Sequence, residues 1–122
     1  MNPKELSQQF LNAYYNTLMT NRSQLVTYYR ENSQMCYEGD SCVGTKAIND
    51  KIEGLSFKTI EYKFESNECQ TTVMPNAIIV AVNGTLQMDG ADVFRFYQVF
   101  VLCQDQQGNF YVANDIFKLI ME

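Results

Sequence analysis

The stretch from Phe57 to the C-terminus constrains this chain more than any other part of it. It reads as four long strands. Phe57 to Ser66 carries Ile60, Tyr62 and Phe64 at period two, Ala77 to Met88 runs AIIVAVNGTLQM, and Val93 to Gln104 runs VFRFYQVFVLCQ. Asn109 to Met121 is the last, with Phe110, Tyr111, Val112, Ile116, Phe117, Leu119 and Ile120. Asp89-Gly90 is a strong hairpin signal, and the polar stretch from Asp105 to Asn109 reads as another turn. An antiparallel sheet with one wet face alternates apolar and polar side chains cleanly. These strands do not, so both faces need a cover. One cover has to come from this chain and the other from a second subunit.

The first half supplies helices for one face. Leu6, Phe10, Tyr14 and Leu18 recur every four residues, widened by Leu11 and Tyr15, and predict a helix from about Pro3 to Met19. Proline at its start fits the first turn, where a missing N–H costs nothing. A short second helix is expected near Ser23 to Arg30, with Leu25, Tyr28 and Tyr29. Two short strands, Gln34 to Glu38 and Ser41 to Val43, follow around a Gly39-Asp40 turn. Gly44-Thr45 then opens a third helix, with Thr45 as N-cap, a stripe of Ile48, Ile52 and Leu55, and Gly54 as the stop. Helices at one end and a long antiparallel meander at the other indicate an α+β architecture. No linker or repeat interrupts the order, so residues 1–122 read as one domain. Folding at this length buries roughly two-thirds of the unfolded chain's surface, enough for a core without staples.

Composition narrows the function. The net charge of −5 repels phosphate backbones and anionic lipid, which argues against nucleic acid and membrane as partners. A basic protein partner fits the sign, but on charge alone ordinary solubility is the favoured reading. No window is long and apolar enough for a membrane span, and MNPKELSQQF lacks a signal-peptide apolar region, so a cytosolic protein is expected. The four cysteines, Cys36, Cys42, Cys69 and Cys103, show no CxxC spacing and read as free thiols of a reducing compartment. There is no histidine, which removes the commonest general base and the commonest metal ligand. No glycine-rich phosphate loop or calcium-loop spacing occurs, and neither metal nor cofactor is expected.

What remains is carboxylates and tyrosines beside apolar strands. Glu38 ends a strand directly after Tyr37. Asp89 and Asp92 flank Gly90, where aspartates also occur simply because turns favour them. Asp115 sits inside an apolar strand, either hydrogen-bonded in the core or facing a cavity with a raised pKa.

FLNAYYNTL near the start, CYEG at Cys36 to Gly39, the stretch from Gly84 to Phe100 and AND-IFKL at Ala113 to Leu119 agree in order and separation with one family. From about Phe10 to Leu119 the chain resembles the nuclear transport factor 2 family. The resemblance implies a curved antiparallel sheet wrapped as a cone around a long N-terminal helix, with two further helices and an apolar cavity. It implies a homodimer formed through the sheet. It also implies that the GDP-bound GTPase Ran is bound and carried into the nucleus, that phenylalanine-glycine repeats of nuclear pore proteins are bound, and that the protein occupies cytoplasm, nuclear pore and nucleus.

Carried over by position, the Ran site would have Tyr37 at its lip, where the family usually has tryptophan, and Glu38 as the acid beside it. Leu55, Ile60, Phe94 and Phe117 match apolar lining positions. Asp89 matches one of two hairpin acids; Ala91 occupies the second position and Asp92 follows one residue later. The tryptophan that serves repeat binding would fall near Pro3, and this chain has none. Strand parity places the opposite side chains, Ile79, Ala81, Tyr97, Val99 and Ile116, on the dimer face. The same cone also hosts small-molecule isomerases and dehydratases, for which Asp115 with Tyr62 or Tyr111 would be the proton-transfer pair. A dimerisation module of a transport adaptor is the third reading.

Overall fold

The computed structural model describes residues 2–120. Helix α1 spans Pro3–Thr20. Asn2 caps it by accepting from the Lys4 N–H at 2.9 Å, and Pro3 occupies the first turn, where it leaves no orphan donor. The expected stripe is the buried one: Leu11, Tyr14, Tyr15 and Leu18 face inward, with Leu6 and Phe10 packed against the core edge. The second helix is a 3-10 helix, Arg22–Tyr28. It stops earlier than its apolar residues suggest, because Tyr29 already belongs to strand β1, Tyr29–Tyr37.

β2 spans Asp40–Val43 and pairs antiparallel with β1. Helix α2 spans Thr45–Glu53. Its N-cap is Gly44 rather than the expected Thr45: at φ 90 the backbone there suits glycine, and the Thr45 hydroxyl is spent on the Glu31 carboxylate instead. Gly54 ends the helix as expected. β3 spans Ile60–Thr71, β4 Ala77–Met88, β5 Val93–Gln104 and β6 Phe110–Ile120. The Met121 assigned to the last strand lies outside the described residues. β3 starts later and runs further than Phe57 to Ser66. Its polar second half is held by pairing with β4, from Asn67↔Val82 to Thr71↔Ile78, and needs no apolar pattern of its own.

The six strands form one sheet in the order β2-β1-β6-β5-β4-β3. The meander β3 to β6 is antiparallel as expected, but β1 pairs with β6 in parallel. The sheet is therefore mixed, because the chain returns from β5 in the direction that sets β6 alongside β1. That pairing places Met35 beside Asp115, Cys36 beside Ile116 and Tyr37 beside Phe117. Register shifts within β1–β6, β3–β4 and β5–β6 bend the sheet around α1. Aromatic contacts seat the helix: Phe10 and Tyr14 meet Phe100 at 4.9 and 5.0 Å, and Tyr15 meets Phe64 at 4.8 Å. No described helix is long and apolar enough to cross a membrane.

Gly84 makes the β3–β4 bend possible. A Cβ there would stand 2.0 Å from the Lys63 carbonyl oxygen, inside the pairing that precedes the bulge at Ser66. The Asn83 side chain bonds that bulge, accepting from the Ser66 N–H at 3.1 Å. Gly84→Ala is expected to lower unfolding stability by about 1–3 kcal/mol, read from urea titration.

Candidate functional site

At one end of α1 the sheet and α2 enclose a hollow. Leu18, Leu25, Ile52, Leu55, Phe57 and Phe117 form its apolar wall. Tyr37 and Lys51, both partly exposed, also line it, and Tyr62, Gln98 and Asp115 supply its polar groups. The hollow is nearly closed by the protein's own side chains. The room open to the centre of a water molecule is about 20 Å³, enough for about one water. Tyr37 does much of the closing. Its ring stacks on Phe117 at 4.7 Å and 11°, a direct result of the β1–β6 register. The Lys51 ammonium sits 5.5 Å from the Tyr37 ring centroid and pairs with Asp40 at 2.9 Å. Burial, with Glu38 close by, pushes the Tyr37 phenol up to about 12.

The inner side of the hollow carries a buried polar chain. Asp115 is 2% exposed. It accepts from the Tyr29 hydroxyl at 2.7 Å and from Gln98 Nε2 at 2.8 Å. Since Tyr29 spends its proton on Asp115, Tyr14, 2.6 Å away, donates to Tyr29. Tyr15 donates to the Gln98 carbonyl oxygen. No cation pairs with Asp115 among the described residues. Burial pushes its carboxyl up to about 6, against the opposing pull of the Gln98 and Tyr29 hydrogen bonds. The surrounding phenols of Tyr14, Tyr15, Tyr29 and Tyr62 are all driven well above their ordinary range, chiefly by burial.

Of the residues assigned from sequence to the partner site, Tyr37, Leu55 and Phe117 line the hollow. Ile60 is buried in the core and Phe94 packs against it; neither is part of the lining. Glu38 and Asp89 are exposed, each at φ 51 and each followed by a glycine. The Glu38 carboxylate accepts the Leu119 N–H. One oxygen of Asp89 accepts the Lys58 and Thr59 N–H groups at 2.9 and 2.8 Å, pinning the loop before β3, and its second oxygen has no bond among the described residues. Those bonds, Thr59 first, hold its carboxyl below the usual range. Asp92 is exposed in the same turn region.

The proton-transfer pair divides. Tyr62 shares the hollow with Asp115, whereas Tyr111 lies elsewhere, under the Arg30 guanidinium at 5.3 Å and bonded to Asn32. Sequence reading missed Gln98, Lys51 and Arg22, which lies over Phe57 at 4.4 Å. Gln98 was detectable as the single polar break in the inward series Phe94, Phe96, Phe100, Leu102. The outward series is exposed as parity requires: Ile79, Tyr97 and Ile116 are 37%, 40% and 46% exposed, with Ala81 and Val99 half-buried between them. Val99 pairs with both Ala81 and Ile116, which makes one apolar row across three strands.

The raised carboxyl has a thermodynamic consequence. A native pKa above the unfolded value means that the native state binds more protons between the two, so stability falls as pH rises from about 4 to about 6. Asp115→Asn removes that loss. Its stability is expected to fall less than that of wild type between pH 4 and pH 7, by on the order of 2 kcal/mol, as read by urea unfolding at both pH values; the side-chain amide, which puts a donor opposite Tyr29 or Gln98, adds a cost independent of pH.

Residues 6–119 match the nuclear transport factor 2 (NTF2) domain. The chain is 39% identical to nuclear transport factor 2 of Schizosaccharomyces pombe, over 93% of each chain. It is 36% identical to nuclear transport factor 2B of Arabidopsis thaliana, over 98% of this chain and 95% of the other. The solved structure of nuclear transport factor 2 from Cryptosporidium parvum superposes with a TM-score of 0.91 at 31% identity, covering 97% of this chain and 94% of that one.

Proposed function

Since the chain belongs to the nuclear transport factor 2 family, we propose that it binds the GDP-bound GTPase Ran, carries it into the nucleus as a homodimer, and engages phenylalanine-glycine repeats of nuclear pore proteins on the way. It is a transport factor and not an enzyme, as the names of its relatives indicate. Its working places are cytoplasm, nuclear pore and nucleus. One observation carries the Ran reading: Tyr37, Leu55 and Phe117 wall an apolar hollow directly beside the acidic Glu38 turn.

An aromatic side chain of Ran takes the hollow by displacing Tyr37 from Phe117. Burying such a ring contributes roughly 1.5–3 kcal/mol. Parting the Tyr37–Phe117 pair costs about 0.5–1.5 kcal/mol, which the incoming ring recovers in part by stacking on Phe117 in its place. The net gain is small, so charge has to add to it. Glu38, Asp89 and Asp92 meet basic groups of the partner, with Ile60 and Phe94 as apolar support. Charge pairs that are partly desolvated typically cost ~2–5 kcal/mol when one member is truncated. Selectivity for GDP needs no contact with nucleotide, because the partner's switch segment presents its ring in one state only.

The repeat site has a candidate that uses no tryptophan. A groove with about 260 Å³ of free volume runs between the start of α1 and the β3–β4 loop; Pro3, Leu6, Met74, Pro75, Ile78 and Phe110 form its apolar part, and Thr71, Thr72, Asn76 and Gln104 make the rest polar. Val73 is fully exposed beside it and Met74 is 58% exposed. Methionine and proline form an adaptable apolar rim suited to single phenylalanine rings.

Calorimetry with Ran loaded with GDP, and separately with a GTP analogue, tests the carrier reading. Wild type should bind the GDP form preferentially. Glu38→Lys is expected to weaken that binding roughly thirtyfold or more while the dimer stays intact, and equal affinity of the two proteins would refute the site. Ile116→Glu is expected to give monomers, because it sets a charge in the Ala81–Val99–Ile116 row at its most exposed member. An unchanged sedimentation coefficient would count against that face.

A further inference from the structure

We infer that filling the hollow is coupled to protonation of Asp115, so that the chain grips its partner more tightly as the pH falls from about 8 to about 6. The inference rests on the ring-insertion reading above and concerns a buried acid, Asp115, which that reading leaves unused.

Asp115 lines the hollow and is 2% exposed. An ionised carboxylate offers about four lone-pair sites. Tyr29 donates to one oxygen and Gln98 to the other, with the Tyr14 hydroxyl close by as a weaker third polar neighbour. The hollow that Asp115 lines has room for about one water. An aromatic ring that occupies the hollow takes that room and brings no donor. Removing polar surroundings disfavours the charged form of a carboxyl, so insertion shifts Asp115 towards its neutral, protonated form. The free protein already stands close to that transition, with burial holding the carboxyl at about 6.

The groups that face Asp115 leave the effect uncompensated. From α1 comes Tyr14, with Tyr15 behind Gln98; from β1 come Tyr29 and Tyr37; from β3 comes Tyr62. All five phenols are pushed upward and stay neutral in this window. β5 contributes Gln98, which does not titrate, and β2 contributes the Cys42 thiol, which burial and then the charge of Asp115 push upward, so that it too stays neutral in this window. The cations nearest the hollow are Lys51 of α2, committed to Asp40, and Arg22 of the 3-10 helix, lying over Phe57. The chain has no histidine, so no imidazole titrates alongside Asp115. Asp89 is held low and remains charged for the partner throughout.

The sign follows from linkage. If the carboxyl lies higher in the complex than in the free protein, the complex binds more protons between the two values and affinity rises as pH falls through them. Each unit of separation gives a tenfold gain between the limits.

The test titrates GDP-loaded Ran calorimetrically into wild type and Asp115→Asn at about pH 6, 7 and 8, each in two buffers of different ionisation heat. The wild type should gain affinity several-fold more than the variant towards low pH and take up a fraction of a proton on binding; the variant keeps only Ran's own pH dependence. Matching profiles in the two proteins overturn the coupling and leave the carrier reading standing. Absence of wild-type binding at every pH overturns both. Where the variant fails to fold, the carboxyl carbon of Asp115 is titrated by NMR in wild type, free and Ran-bound. A midpoint that moves upward in the complex supports the coupling, and one that stays or falls overturns it.

Discussion

A ring of buried hydrogen bonds organises the molecule. It leaves α1 at Tyr15, crosses β5 at Gln98 and β6 at Asp115, passes Tyr29 of β1, and returns to α1 at Tyr14. Each hydroxyl in it has a defined direction, because Asp115 can only accept while it is ionised. An aromatic helix resting on an aromatic sheet could turn about its axis or slide by a residue at little cost. Two adjacent tyrosines with assigned partners on β1 and β5, themselves tied together by Asp115 of β6, remove that freedom. Buried polar groups of this kind are costly unless fully satisfied, and the residual cost here is concentrated on one unpaired carboxylate. That carboxylate stands at the hollow, so the device that sets the helix also gives the cavity its polar side.

Strand parity then assigns the two sides of the sheet different work. Along β5, Phe96, Gln98, Phe100 and Leu102 are buried against α1, while Tyr97 is exposed and Val99 and Val101 are half-buried. Along β6 the buried Asp115 and Phe117 alternate with the exposed Ile116. A one-residue slip would exchange core and surface in every row, so the bulges at Ser66 and near Val101 have to be localised. The Ser66 bulge is fixed by the Asn83 side chain and by Gly84, which admits the neighbouring backbone. Curvature is thereby obtained without losing register, and curvature is what leaves a hollow between sheet and helix.

Much of this was legible in the sequence. β4 and β5 fall where their apolar runs lie, because pairing on both edges and burial demand side chains of that kind at nearly every position. α1 was readable from its stripe and its N-terminal proline. The parts that escaped depend on distant contacts. The polar half of β3 is a strand only because β4 pairs with it. The parallel β1–β6 pair joins segments at opposite ends of the chain and leaves no local signature. Thr45 looks like a cap until Gly44 adopts φ 90 and takes the role. In the site, Asp115 was conspicuous as an acid inside an apolar strand, and Gln98 was readable from parity. Tyr111, three residues before Asn114 and four before Asp115, could be separated from the hollow only in three dimensions, beyond the β5–β6 register shift. Lys51 follows the α2 stripe residue Ile48 by three positions, but its use depends on where Tyr37 and Asp40 stand.

On the carrier reading proposed above, the closed state of the hollow explains why charge and aromatic residues have to act together there. Tyr37 on Phe117 is a substitute for a guest ring, seated by the same register that builds the wall. Exchange of one ring for another conserves most of the stacking, so apolar contact alone discriminates weakly between the empty and the occupied states. A cavity already open would bind rings of many kinds, and any of them could compete. A closed one yields only when an additional interaction offsets the displacement, which is the part the proposal gives to the acidic turns. Glu38 is the residue after Tyr37, so a basic group that engages the carboxylate acts on the backbone that carries the displaced ring. Lys51 opposes this, holding Tyr37 in place while neutralising Asp40. Specificity in such a site arises from the requirement that ring and charge arrive on one rigid surface, which a folded partner satisfies and a free small molecule does not.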